Sequence, residues 1–214
     1  MDAKISQSEI PKIYDSLSKT YDIWGKLAET KARNRALELA DIHDGQNILE
    51  VAVGTGLAFY EIVKKNPGGT NTGIDISPGM LKKAEKRLLP LSNANYRLKI
   101  GNAFNIEEET EHFDLLVNSY MFDLIAFKEM DGVLMEFKRV LKKGGKLILV
   151  NMTAGKSFGS GIYSLIYRIL PKLFGGCRGV GLSDKLQQNG FDILAREYHQ
   201  QLLFPSEVIL ALRN

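Results

Sequence analysis

At 214 residues, 44% hydrophobic and 25% charged, the chain has the composition of one folded domain with a sizeable core, not of a disordered tail or a fibrous repeat. Its formal net charge of +3 is spread over lysines on helix faces, which lacks the clustered positive field of a nucleic-acid binder. Cys177 is the only cysteine, which excludes an internal disulfide and a CxxC pair for zinc, and no run of 18 apolar residues is available to span a bilayer. With no basic-then-apolar signal in MDAKISQSEIPK, a reducing, cytoplasmic location is expected.

Taken in chain order, the first predicted helix covers Ser8 to Asp22, and Tyr14, Leu17, Tyr21 and Trp24 recur at helical spacing. A second covers Lys31 to Leu39. Strands then alternate with amphipathic helices. Strands are expected at Asn47 to Val53, Thr72 to Ile76, Tyr96 to Ile100, Leu115 to Asn118 and Lys146 to Asn151, with two more at Phe191 to Tyr198 and Phe204 to Ala211. Helices are expected at Ala58 to Lys65, Gly79 to Leu88, Met130 to Leu141 and Ser183 to Gln188. The alternation predicts an α/β sheet covered on both faces. The turn KKGG, Lys142 to Gly145, reads as the end of a helix, with cations and glycine where the dipole and cap geometry favour them.

The most specific local pattern is ILEVAVGTG, Ile48 to Gly56, followed by GIDIS, Gly73 to Ser77. An apolar strand runs into a turn with glycines at Gly54 and Gly56, and the next strand ends in Asp75 about 20 residues on, where an acid takes the hydroxyls of a ribose. The plainer alternative is a strand-to-helix turn with Asp75 capping the helix from Pro78. Glu50 stands inside the first strand. A carboxylate buried there needs backbone N–H donors or a cationic ligand group. A dinucleotide fingerprint would place a third glycine where Phe59 stands, and no GxxxxGK[ST] loop is present. A ligand without phosphates and with a cationic centre fits, and S-adenosylmethionine meets both conditions.

These segments carry a wider likeness. YDSLSKTYDIWG, ILEVAVGTGL, GIDISPGMLKKAEKR, FDLLVNSYMFDLI and FKRVLKKGGKLILVN, spanning Tyr14 to Asn151, resemble class I S-adenosylmethionine-dependent methyltransferases, near the ubiquinone/menaquinone-biosynthesis and bacterial phospholipid N-methyltransferase group. The resemblance implies a Rossmann-like class I methyltransferase sheet of seven strands, the last antiparallel. It implies one domain: an N-terminal helical cap (1–45), a cofactor-binding core (46–151), a lid insert (155–180) and a C-terminal helix and strand pair (181–214). It further implies that Glu50, Gly54 and Gly56 flank the methionine part, with Ala52, Thr55 and Ser119 in the same loops. Asp75 takes the ribose, Ile76 and Met80 pack by the adenine, Asn102 and Ala103 meet its amino group, and Asn118 touches the methionine end. Tyr21, then Tyr14, is the tyrosine expected over the methionine. The chain departs from the pattern at three places: Ala52 replaces the first loop glycine, Asn102 replaces a commoner aspartate, and Asn118, Ser119 and Tyr120 stand where the quinone enzymes carry Arg-Asn.

The acceptor is expected to be a small, lipophilic molecule, either a phospholipid amine or a quinone-like ring. The stretch Gly155 to Gly176 holds Ile162, Leu165, Ile166, Ile169, Leu170 and Leu173 on one stripe, opposite Ser164, Arg168 and Lys172. That stripe packs on its own domain or meets a membrane peripherally, and glycines at 159, 161, 175 and 176 give it hinged ends. Because the sulfonium methyl is already activated, no general base is obligatory. Asp123, Tyr120, Tyr163, Tyr167 and Arg178 are the polar groups expected around the acceptor. His43 and His112 fall at the opposite end of the sheet, His199 follows the sixth strand, and Cys177 has no base partner. An NAD-dependent oxidoreductase and a non-catalytic cofactor-binding module are the alternatives.

Overall fold

Apolar residues in runs, not in alternation, mark strands buried on both faces, and β1 (Asn47–Val51) is such a strand, with Ile48 to Val51 all buried. The computed structural model describes residues 29–153, 178–201 and 204–214. The expectations for Tyr14, Tyr21 and Trp24, for the segment Gly155 to Gly176 with Tyr163 and Tyr167, and for Cys177 lie outside these residues. Around β1 are placed β2 (Thr70–Asp75), β3 (Tyr96–Ile100), β4 (Phe113–Ser119), β5 (Leu141–Met152), β6 (Phe191–Gln201) and β7 (Phe204–Arg213). Their order across the sheet is β3-β2-β1-β4-β5-β7-β6. The first five strands run parallel, and β7 pairs antiparallel with both β5 and β6. The seven-stranded sheet with an antiparallel last strand is therefore as expected. Strand order reverses at β1 and β4, and open sheets place their crevice at the carboxyl ends of such a pair.

Helices α1 (Thr30–Ala40), α2 (Leu57–Lys65) and α3 (Pro78–Leu88) lie on one side, where Ala36, Phe59, Ile62 and Ala84 pack with Ile48, Leu115 and Ile148. Helices α4 (Met130–Val140) and α5 (Ser183–Gln188) cover the other side, where Val133, Leu134 and Phe137 pack with Leu49, Leu116 and Leu147. Buried positions of α4 fall at Met130, Val133, Leu134, Phe137 and Val140, a stripe at helical spacing. The helix α1 is pinned at its far side by a two-pronged pair. Arg35 Nε and Nη2 each donate to Glu197 at 2.8 Å, and Arg35 holds the Glu197 carboxyl down at about 2. The backbone of Lys31 adds a bond to Gln201 Oε1 at 2.8 Å. These contacts set the start of α1 over the crevice.

One expected boundary is wrong. The turn KKGG does not close a helix: α4 ends at Val140, Leu141 is already extended, and Lys142 to Gly145 lie inside β5. The register jumps from Phe113↔Leu141 to Leu115↔Lys146, and Gly144 takes φ 71°, so the four residues form a bulge. Leu141 and Phe113 are both fully buried as partners, and that burial outweighs the cap preference of the local sequence. His199 likewise lies within β6, bonded to Glu197 at 3.2 Å, and does not follow the strand. Among the described residues no helix is long and apolar enough to cross a membrane.

Candidate active site

The loop after β1 turns by placing a non-glycine residue, Ala52, at φ 61°, then Gly54 at 57° and Gly56 at 80°. Three bonds close it. Val53 N donates to Ile74 O at 3.1 Å, Gly56 N to Val53 O at 3.0 Å, and Gly54 N to Asp75 Oδ2 at 2.7 Å. The other oxygen of Asp75 accepts from Ser77 N at 2.8 Å, and Ser77, not Asp75, caps α3 by accepting from Met80 N at 3.1 Å. Capping is thus not what an acid at position 75 is for. Asp75 is 7% exposed, and its carboxylate holds the tip of β2 to the loop of β1.

Above these strand ends lies an open hollow. Ala52, Gly54 and Asp75 form one wall, Met80 and Ile76 the next, and Asn102 and Ala103 the third. Met80 is buried, while Ile76, 40% exposed, stands at the rim. Asn102 is held by its own loop, its Oδ1 accepting from Phe104 N at 3.0 Å. Phe104, Met121, Leu124 and Ile125 make the remaining lining apolar.

A second hollow adjoins the first and shares Ala52, Gly54, Ser119 and Tyr120 with it. Its own walls are Glu50, Thr55, Glu29 and Arg33. Glu50 is 2% exposed, and its Oε2 has no hydrogen-bond partner among the described residues. Burial pushes this carboxyl well above its ordinary range, the Arg33 cation opposes that, and the Asp75 charge adds to it. The second hollow thus holds a buried carboxyl with one oxygen unpartnered among the described residues and only Arg33 as a nearby cation. A cationic ligand group there would relieve the desolvation penalty.

Of the thirteen positions expected at the cofactor, ten line one or both hollows: Glu50, Ala52, Gly54, Thr55, Asp75, Ile76, Met80, Asn102, Ala103 and Ser119. Gly56 and Asn118 stand one layer back, and Tyr21 lies outside the described residues. A Cβ on Gly56 would come within 3.0 Å of Ala84 Cα, so this glycine permits close approach of α2 to α3. Asn118 is fully buried and donates from Nδ2 to Val51 O at 2.8 Å. Glu29 and Arg33 were not anticipated. Arg33 comes from α1 and Glu29 from the position that precedes it, and nothing in their local spacing marks them.

The polar groups expected near the acceptor divide. Tyr120 lines both hollows. Asp123 does not: it is fully buried, both oxygens accept from Met152 N at 3.1 and 3.0 Å, and burial pushes its carboxyl up. Arg178, also buried, donates to Ile125 O at 2.6 Å, behind the apolar wall. His43 is bonded to Asp41 at the opposite end of the sheet.

The Methyltransferase domain family matches residues 42–164, more than half of the chain and all of β1 to β5. The chain belongs to this family. The protein is an S-adenosylmethionine-dependent methyltransferase, which sets aside the oxidoreductase alternative. This methyltransferase is 29% identical over 171 residues to the demethylmenaquinone methyltransferase of Tropheryma whipplei (strain Twist), covering 78% of this chain and 69% of that one. It is 29% identical, again over 171 residues, to the demethylmenaquinone methyltransferase of Thermotoga maritima, covering 77% and 72%. Its fold matches that of geranyl diphosphate methyltransferase in complex with SAM, with a TM-score of 0.68 at 14% identity over 85% of each chain.

Proposed function

We propose that this methyltransferase carries the methyl group of S-adenosylmethionine to a small lipophilic acceptor, a quinol-like ring being the leading class. The observation that carries the reading is the pair of hollows meeting at Ala52, Gly54, Ser119 and Tyr120, with Asp75 on one side and Glu50 on the other. In this reading Asp75 takes the ribose hydroxyls, Ile76 and Met80 flank the adenine, and Asn102 and Ala103 meet its edge. Glu50, whose Oε2 has no hydrogen-bond partner among the described residues, receives the methionine ammonium, and Arg33 receives its carboxylate as a charge-assisted pair. Thr55 and Ser119 close that pocket, with Tyr21 over it, while Gly56 and Asn118 hold the loop from behind.

The chemistry asks little more of the chain. The methyl carbon bonds to the acceptor atom as its bond to sulfur breaks, the electron pair stays on sulfur, a quinol-like acceptor gives up the proton of the methylated atom to solvent, and the protein's task is alignment and exclusion of water at the transfer itself. Met121, Leu124, Ile125 and Phe104 give the open side of the hollow an apolar lining, which favours a lipophilic acceptor. The relatives named for demethylmenaquinone point the same way, although Asn118, Ser119 and Tyr120 replace the Arg-Asn of the quinone group. Incubation with methyl-labelled S-adenosylmethionine and, in parallel, a naphthoquinol or phosphatidylethanolamine vesicles tests the reading. Label on the naphthoquinol supports it. Label only on the phospholipid moves the acceptor to an amine, and label on neither overturns the lipophilic assignment.

A further inference from the structure

Ala52 and Tyr120 each follow a strand, β1 and β4, that are neighbours in the sheet, and both take left-handed backbone conformations, φ 61° and 54°. For an aromatic residue this conformation is an outlier that persists only where its surroundings over-determine it. Here they do. Tyr120 N donates to Val150 O at 2.7 Å, the hydroxyl is 2.8 Å from Ser206 Oγ, and the residue is 7% exposed. The chain thus holds Tyr120, which lines both hollows and packs in the core beneath them, by its backbone and by its hydroxyl.

The junction of the two hollows is where the sulfur of the donor falls when ribose and methionine lie as proposed above, and the present inference rests on that reading. We infer that Tyr120 discriminates the donor by charge, its ring meeting the sulfonium and favouring S-adenosylmethionine over the neutral thioether left after transfer. A π face attracts a cation within about 6 Å of its centre and has no such attraction for a thioether, which predicts a preference of roughly three- to tenfold. Product inhibition would be weakened by the same factor.

The test is calorimetric titration of S-adenosylmethionine and S-adenosylhomocysteine into the full chain and its variants. The readout is the ratio of the two affinities, which a merely structural role for Tyr120 would not move. Tyr120→Phe keeps the ring and loses the Ser206 bond, so the ratio should stand. Tyr120→Leu should lower it by about three- to tenfold. Should the leucine variant fold poorly by circular dichroism, pentafluorophenylalanine at position 120 keeps the ring's shape while reversing its face, and the ratio should drop again. An unchanged ratio in Tyr120→Leu or in the fluorinated protein overturns the inference while leaving the donor site intact. Failure of the parent chain to bind either ligand overturns the donor site itself and the inference with it.

Discussion

Asp75 and Gly54 are joined by a 2.7 Å hydrogen bond in which the loop after β1 donates its backbone N–H to the carboxylate that ends β2. Because Ser77 N occupies the other oxygen, the carboxylate bridges two backbone donors and fixes both walls of the hollow at once. Asp75→Asn should therefore be costly despite its shape. The amide has one oxygen for two N–H donors, and its NH₂ would face the other donor. The expected loss is about 1–3 kcal/mol of stability, read from the urea midpoint, and at least about tenfold in S-adenosylmethionine affinity. Retention of both quantities would remove Asp75 from the site.

Glu50 makes stability and donor binding depend on pH in a defined direction. Its folded-state carboxyl is held well above the ordinary 4.5 by burial, so the folded chain keeps a proton that the unfolded chain has released. Stability is unaffected below pH 4.5 and falls as pH climbs from there to the folded-state value, where the loss levels off. Glu50→Gln lacks that loss, and its Tm should rise relative to the parent across the same window. Donor binding favours the carboxylate, so it should release a proton, shown by buffer-dependent heats, and should tighten with pH. In the glutamine variant the affinity should be flat with pH and about ten- to a hundredfold lower.

Ala52→Gly should stabilise the protein. A non-glycine residue at φ 61° carries strain of about 1–2 kcal/mol, and glycine removes it at the cost of extra freedom in the unfolded chain. A net gain of about 0.5–1 kcal/mol would raise Tm by roughly 1–4 °C for a chain of this size. A fall in Tm would mean that the methyl group of Ala52 contributes more by packing in the hollow than the backbone strain costs.

Gly56→Ala separates packing from binding. The new methyl group would meet Ala84 Cα at 3.0 Å, in a conformation with φ 80°. Together these should cost about 2 kcal/mol in urea unfolding, with donor affinity in the folded protein changed less than about threefold. A large loss of affinity without loss of stability would return Gly56 to the binding surface.

The parts of the fold that could be read from sequence are those whose signal is local. The strand of Ile48 to Val51 and the stripe of α4 are written in hydrophobic period, and both lie where expected. KKGG misled because its local cap signal competes with a non-local one, the pairing of Leu141 with Phe113, which only the assembled sheet reveals. The same division holds in the site. Glu50, Gly54 and Asp75 belong to two contiguous motifs. Arg33 reaches the pocket because its helix packs on the sheet through Ala32, Ala36 and Leu37, with Arg35 paired to Glu197 on β6, and Tyr120 is held by Ser206 on β7. Neither contact leaves a pattern in neighbouring residues.

The walls of the hollow are contributed by the ends of β1, β2 and β4 and the loop after β3, so no short fragment of the chain contains them all. Saturation with donor should accordingly act as a clasp across four separately encoded pieces, adding about 2.7 kcal/mol to global unfolding at a hundredfold excess over Kd. In a cell, the supply of methyl donor would then bear on how long each copy of this protein stays folded, as well as on how fast it works.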